Sequence, residues 1–98
     1  MFVAMSRFRV RQGQEEMVRD AFRQRPGRVD QHSGFVRMEV LTPQDRGNEF
    51  WLITFWTDQE SFEIWHKRHL GESHAGMPRG LKVEKGSRAL EYLELITE

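Results

Sequence analysis

One indole and a set of imidazoles are the side chains best equipped for chemistry in this chain. Trp65 lies in the helical run Asp58-Gln59-Glu60-Ser61-Phe62-Glu63-Ile64-Trp65-His66-Lys67-Arg68-His69, and His74 follows within about three turns of helix. An aromatic plane and imidazoles on one side of a helix suit a flat aromatic ligand, or a metal at its centre. The same face also makes an ordinary core, with Trp65 as its anchor and His66 and His69 as solvated or helix-end histidines.

Spacing sharpens the choice. Trp65 and His69 are four apart and His66 is one turn beyond Phe62, so all four fall on or beside the helical stripe that must face a sheet. Glu63, His66 and His69 do not make a zinc triplet: steps of three drift around the helix, and no second ligand group accompanies them. His74, in the segment leaving the helix, is available as an iron ligand or a proton acceptor. Ser6 is the polar residue in the middle of an apolar strand face, where a hydroxyl needs a partner. It either bonds to nearby backbone or, if strand 1 and helix 2 wall a cleft, offers a hydrogen bond to a ligand lying against Trp65. The chain has no G-x-S-x-G, P-loop or Rossmann fingerprint, hence no flavin or nucleotide motif, and Gly76-Met77-Pro78-Arg79-Gly80 reads as a plain loop.

The elements that would position these residues follow from periodicity. Phe2 to Val10 alternates, with Phe2, Ala4, Ser6, Phe8 and Val10 on one face and Val3, Met5, Arg7 and Arg9 on the other. After Gly13, the run Gln14 to Gln24 carries a helical stripe of Met17, Ala21 and Phe22, with Val18, and Pro26 stops it. A short helical turn is expected before Ser33-Gly34. Phe35–Leu41 and Phe50–Trp56 are rich in aromatic and β-branched residues and read as a hairpin around Pro43-Gln44-Asp45-Arg46-Gly47-Asn48. Thr57-Asp58-Gln59-Glu60 matches a capping box that starts the second helix, Gly71 is a plausible stop, and Ala89–Ile96 closes the chain as a strand.

This order, βαββαβ in a single α+β domain over residues 1–98, predicts a ferredoxin-like antiparallel sheet with both helices on one face. Strand 3 is apolar on both faces, Trp51, Ile53 and Phe55 against Phe50, Leu52 and Trp56, so one helical layer cannot bury it. A homodimer joined sheet to sheet, a dimeric α/β-barrel, is therefore expected. Lys+Arg and Asp+Glu both number 15, and the zero formal charge argues against a nucleic-acid partner. Residues 1–30 hold seven arginines, no lysine and four acids, which reads as a solvated, salt-bridged face. No apolar stretch approaches the ~20 residues that span a bilayer, and Met1-Phe2-Val3 enters a strand pattern without a signal-peptide n-region, so a cytoplasmic location and no membrane partner are expected. With no cysteine, disulfides and thiolate chemistry are excluded.

Phe2-Val3-Ala4-Met5-Ser6-Arg7-Phe8, the opening of strand 2 at Ser33-Gly34-Phe35-Val36, the run Phe55 to Trp65 and the tail Ser73-His74-Ala75-Gly76 together resemble the antibiotic-biosynthesis-monooxygenase superfamily. Within it, the chain is most similar to the heme-degrading, IsdG-like branch. The resemblance covers nearly the whole chain. It implies heme as both substrate and cofactor, with Trp65 matching the tryptophan that crowds and ruffles the porphyrin and His74 matching the proximal, iron-binding histidine. The asparagine of that branch falls on Ser6, a departure, since serine still donates one hydrogen bond to oxygen but on a shorter arm.

The resulting expectation is a homodimeric monooxygenase that binds heme between strand 1 and the helices. Phe62, His66, His69 and His74 would line the heme site, with His66 and His69 as alternatives to His74 at the metal. An external donor would supply electrons. Two other readings stay open: cofactor-independent oxygenation of an aromatic quinol, in which Trp65 stacks the substrate and a histidine acts as base, and a non-catalytic dimeric binding module.

Overall fold

The computed structural model describes residues 1–24, 32–72 and 80–98, with backbone alone at 69–72. In chain order it contains β1 (Phe2–Arg9), α1 (Glu15–Arg23), β2 (Phe35–Leu41), β3 (Glu49–Trp56), α2 (Gln59–Glu72) and β4 (Ala89–Glu94). The strands form one antiparallel sheet in the order β2-β3-β1-β4, so the first and third strands lie at the centre and the second and fourth at the edges. This is the expected ferredoxin-like α+β arrangement.

Alternation along the central pair decides which side chains each face receives. Phe2, Ala4, Ser6 and Phe8 stand opposite Trp56, Thr54, Leu52 and Phe50, and these residues make the helix-bearing face. The core on that face has two centres. Ala4, Trp56 and Phe62 form one, with Phe2, Phe35, Met38 and Trp65 packed around them. Val10, Val18 and Phe50 form the other, joined by Phe8, Phe22, Val40, Leu81 and Val83. In α1 the stripe therefore centres on Val18 and Phe22, while Met17 stays 38 % exposed.

A bulge that periodicity did not reveal adjusts β2. The register shifts between Phe35 and Arg37, so Phe35 pairs with Trp56 and Arg37 pairs with Phe55. One extra residue moves the following side chain to the opposite face. Phe35 thereby reaches the helix side and meets Trp56 edge-on at 5.5 Å, whereas Arg37 turns to the other side and lies 3.9 Å above the Phe55 ring.

The start of α2 differs from the expected capping box. Its cap is Asp58, whose Oδ1 accepts the Ser61 backbone N–H at 2.8 Å, and the Thr57 hydroxyl donates to Oδ2 of the same carboxylate at 2.9 Å. These bonds, the Ser61 amide first, hold the Asp58 carboxyl below the usual carboxylate range. Asp is a stronger cap than Thr, and its second oxygen leaves room for both donors. The helix also continues through Gly71 rather than stopping there. Gly34, at φ +84°, lets α2 pack close: a Cβ there would fall 2.5 Å from Ser61 Cβ and 3.0 Å from Thr57 Oγ1. The Thr57 backbone N–H is bonded to the Gly34 carbonyl at 2.8 Å, which fixes this approach.

One further connection had no sequence signal. Val10 bridges to Val83, and the Gln14 side chain clamps the same segment, donating to Gly80 O and accepting from Lys82 N, both at 2.8 Å. The helical turn expected before Ser33 and the segment 73–79 lie outside the described residues.

No described helix covers the opposite face of the sheet. Val3, Met5, Trp51, Ile53, Phe55, Leu41 and Leu93 share it, with Leu41 and Leu93 exposed. Ion pairs border this apolar field: Arg7 with Glu91 at 3.1 Å, Arg9 with Glu84 at 2.9 Å and Arg37 with Glu39 at 3.5 Å. Glu49 collects the Trp51 indole N–H at 2.7 Å together with Arg9 and Arg46, each at 3.7 Å.

Candidate active site

The two core centres leave a row between them. Across the middle of the helix-bearing face run Leu90, Ser6 and Leu52, paired in register, and none of the three belongs to either centre. Ser6 and Leu52 are half-buried and Leu90 is exposed. Among the described residues the Ser6 hydroxyl makes no hydrogen bond. The expected alternative, a serine satisfied by neighbouring backbone, is therefore not what the described residues form. A half-exposed apolar floor carrying one uncommitted hydroxyl is a surface on which a flat, mostly apolar ring with a polar atom can lie.

On the same face of the sheet, packed on the first core centre, stands an aromatic wall supplied by α2. Phe62 is buried and central, and Trp65 is half-buried, 6.1 Å from Phe62 and 5.6 Å from Trp56 between ring centroids. His66 stacks on Phe62 at 5.2 Å with the planes inclined by 17°. The helix thus presents Phe62, Trp65 and His66 together, as the spacing predicted. Among the described residues the buried Trp56 indole N–H has no hydrogen-bond acceptor, and the rings beside it cross nearly at right angles, Phe35 at 80° and Phe62 at 72°. Such ring faces are weak acceptors at best.

His32 was not singled out by its sequence context. It lies edge-on to Trp65 at 6.5 Å, on the opposite connection from His66, which is also 6.5 Å from the indole. Two imidazoles therefore flank Trp65. Only the tertiary approach of the residues before β2 to α2 brings His32 there, and the sequence offered no more than its proximity to Gly34. His74 and the His69 side chain lie outside the described residues, so the expected iron ligand and one of its alternatives are not placed. Among the described residues no group of three His, Cys, Asp or Glu is arranged to hold a metal ion. No described helix is long and apolar enough to cross a membrane.

Residues 1–74 match the family model described as antibiotic biosynthesis monooxygenase. The chain belongs to that family. No curated protein matches it in sequence. Among solved structures, it is similar to the heme-degrader MhuD from Mycobacterium tuberculosis, solved with two hemes in its active site, at a TM-score of 0.82 and 20% identity over 100% of this chain and 98% of that one. It is also similar to SnoaB, a cofactor-independent oxygenase from Streptomyces nogalater, at a TM-score of 0.74 and 22% identity over 99% and 94% of the two chains. PA3566 from Pseudomonas aeruginosa shares the fold at 13% identity and a TM-score of 0.70, with 98% and 94% covered. One fold thus carries a heme-degrader and a cofactor-independent oxygenase among these neighbours, and fold alone does not choose between their chemistries.

Proposed function

We propose that this chain is a heme-binding, heme-degrading monooxygenase that works as a homodimer, one domain over residues 1–98. The observation that carries the reading is the row of Leu90, Ser6 and Leu52, outside both core centres and on the sheet face against which Trp65 packs. Its character fits a porphyrin: two leucines and an indole for the ring, and a hydroxyl without a described partner for a polar atom. When bound, heme supplies both the iron for dioxygen chemistry and the macrocycle to be oxidised, with electrons from an external donor.

The chain's own residues then have distinct tasks. Trp65, backed by Trp56 and Phe62, crowds one side of the ring. Ser6 would offer the bound group a hydrogen-bond donor. His74 would hold the iron, with His66 and His69 as alternatives. Dimerisation follows from the uncovered face, where an apolar field ringed by ion pairs has the make-up of an interface core and rim.

A second reading is supported by the pair of histidines flanking Trp65. In it, a quinol-type aromatic stacks on the indole, and His66 or His32 takes its phenolic proton without a cofactor. Titration with hemin separates the two. The heme reading expects a saturable Soret shift that His74→Ala abolishes. A wild-type protein giving no saturable shift, yet consuming oxygen with a quinol in metal-free buffer, would move the assignment to the second.

A further inference from the structure

Tyr92 is the chain's one tyrosine. It pairs with Ala4 and therefore stands on the helix-bearing face of the edge strand β4. Two rings hold it edge-on: Phe2 at 5.2 Å and 76°, and Phe62 at 5.7 Å and 80°. Contacts of this kind fix a ring's orientation, and Tyr92 nonetheless remains 49% exposed. The small side chain of Ala4 beneath it keeps the strand surface low at this point.

Its neighbours on the same face are the floor residues themselves. Leu90 is two residues back along β4, and Ser6 is the diagonal cross-strand partner of Tyr92, a relation that separates side chains by about 7–8 Å and lets long aromatic ones interact. Leu90 and Tyr92, both exposed, form an apolar strip along the edge strand that α2 touches only through Phe62 among the described residues. A ring already held in one orientation loses little freedom on contact with a ligand, which makes Tyr92 an effective anchor.

We propose that Tyr92 is a third wall of the ligand site, opposite Trp65, and that its free side packs against the rim of a porphyrin lying over Ser6 and Leu90. It would thereby select broad flat rings that reach from α2 to the edge strand over smaller ones that contact Trp65 alone. This rests on the porphyrin reading of the site and adds to it a residue on the far side of the row.

Because there is one tyrosine, biosynthetic fluorotyrosine gives a single fluorine resonance for this position. The wild-type chain is titrated with gallium protoporphyrin, a diamagnetic relative of heme, and the Soret band and the fluorine resonance are followed together. Tyr92 in the site predicts that both saturate on one curve, that Tyr92→Leu weakens binding about tenfold, and that Tyr92→Phe stays within about twofold. A Soret band that saturates while the fluorine resonance does not move overturns the role of Tyr92 and leaves the porphyrin reading standing. No saturable Soret change in the wild type removes both. The fluorine measurement needs no substitution at Tyr92, so the test holds even where a variant fails to fold.

Discussion

His66 lies face to face with Phe62, ring centroids 5.2 Å apart and planes inclined by 17°. Through Phe62 this imidazole is tied to Phe2, Trp56, Trp65 and Tyr92, all within 6.1 Å of the same ring. One phenylalanine thus joins the helix, both central strands and the edge strand.

Truncating that hub is expected to be costly. Phe62 is 2% exposed, and Phe62→Ala should destabilise the fold by about 3–5 kcal/mol, as loss of a large buried aromatic usually does. Urea unfolding monitored by far-UV circular dichroism checks this. The near-UV signal of the tryptophans should weaken as well, because Trp56 and Trp65 lose a common neighbour.

Gly34→Ala tests the close approach of α2 to the start of β2. The added methyl would meet Ser61 Cβ at 2.5 Å in a backbone conformation of φ +84°. The left-handed conformation costs roughly 1–2 kcal/mol and overpacking roughly 1–3 more. A lower thermal midpoint is expected, and adding Ser61→Gly should recover only the part due to the clash.

The Asp58 cap gives a pH dependence of definite sign. Its carboxyl is held below the usual range by the Ser61 amide and the Thr57 hydroxyl, so the folded state binds that proton more weakly than the unfolded chain. The contribution is present above the ordinary carboxylate range and is lost as pH falls through the depressed folded value. Asp58→Ala should lower stability at neutral pH and converge with wild type in acid, as read by denaturant midpoints across pH.

The uncovered sheet face predicts a dimer that one charge can break. Ile53 is in the middle of that face, between Met5 and Glu39 in the ladder. Ile53→Glu should convert a dimer into a folded monomer in sedimentation velocity at micromolar concentration. A wild-type monomer under the same conditions would count against the interface.

Much of this organisation was readable in the residues themselves. Alternation in Phe2–Val10 and the double-faced apolarity of Phe50–Trp56 led to the central strands, and the three- and four-residue steps from Phe62 led to the wall of Phe62, Trp65 and His66. What escaped notice depends on tertiary approach or on small shifts in register. The bulge beside Val36 is one residue in length and has no distinctive composition. The bridge of Val10 to Val83 and the Gln14 clamp join distant segments through backbone groups that every residue carries. His32 gains its place only when the chain before β2 folds against α2. The cap passed from Thr57 to Asp58, because the T-x-x-E spacing pointed to Thr57 while aspartate is the stronger capping type of the two.

The departure at Ser6 gives a gain-of-function expectation. Ser6→Asn places a longer amide arm on the same floor, and if that position orients the reacting oxygen, heme turnover should rise several-fold with little change in hemin affinity. Parallel Soret titration and turnover rates separate the two effects.

The most direct test of the account is the fate of heme on the protein. Purified chain loaded with hemin is given ascorbate as electron donor in air, with catalase present to remove free peroxide, and the Soret band is followed. The account predicts a loss of that band that requires oxygen, is accompanied by linear tetrapyrrole absorbance, and is abolished by His74→Ala. A bound heme whose Soret band persists unchanged through this treatment would contradict it.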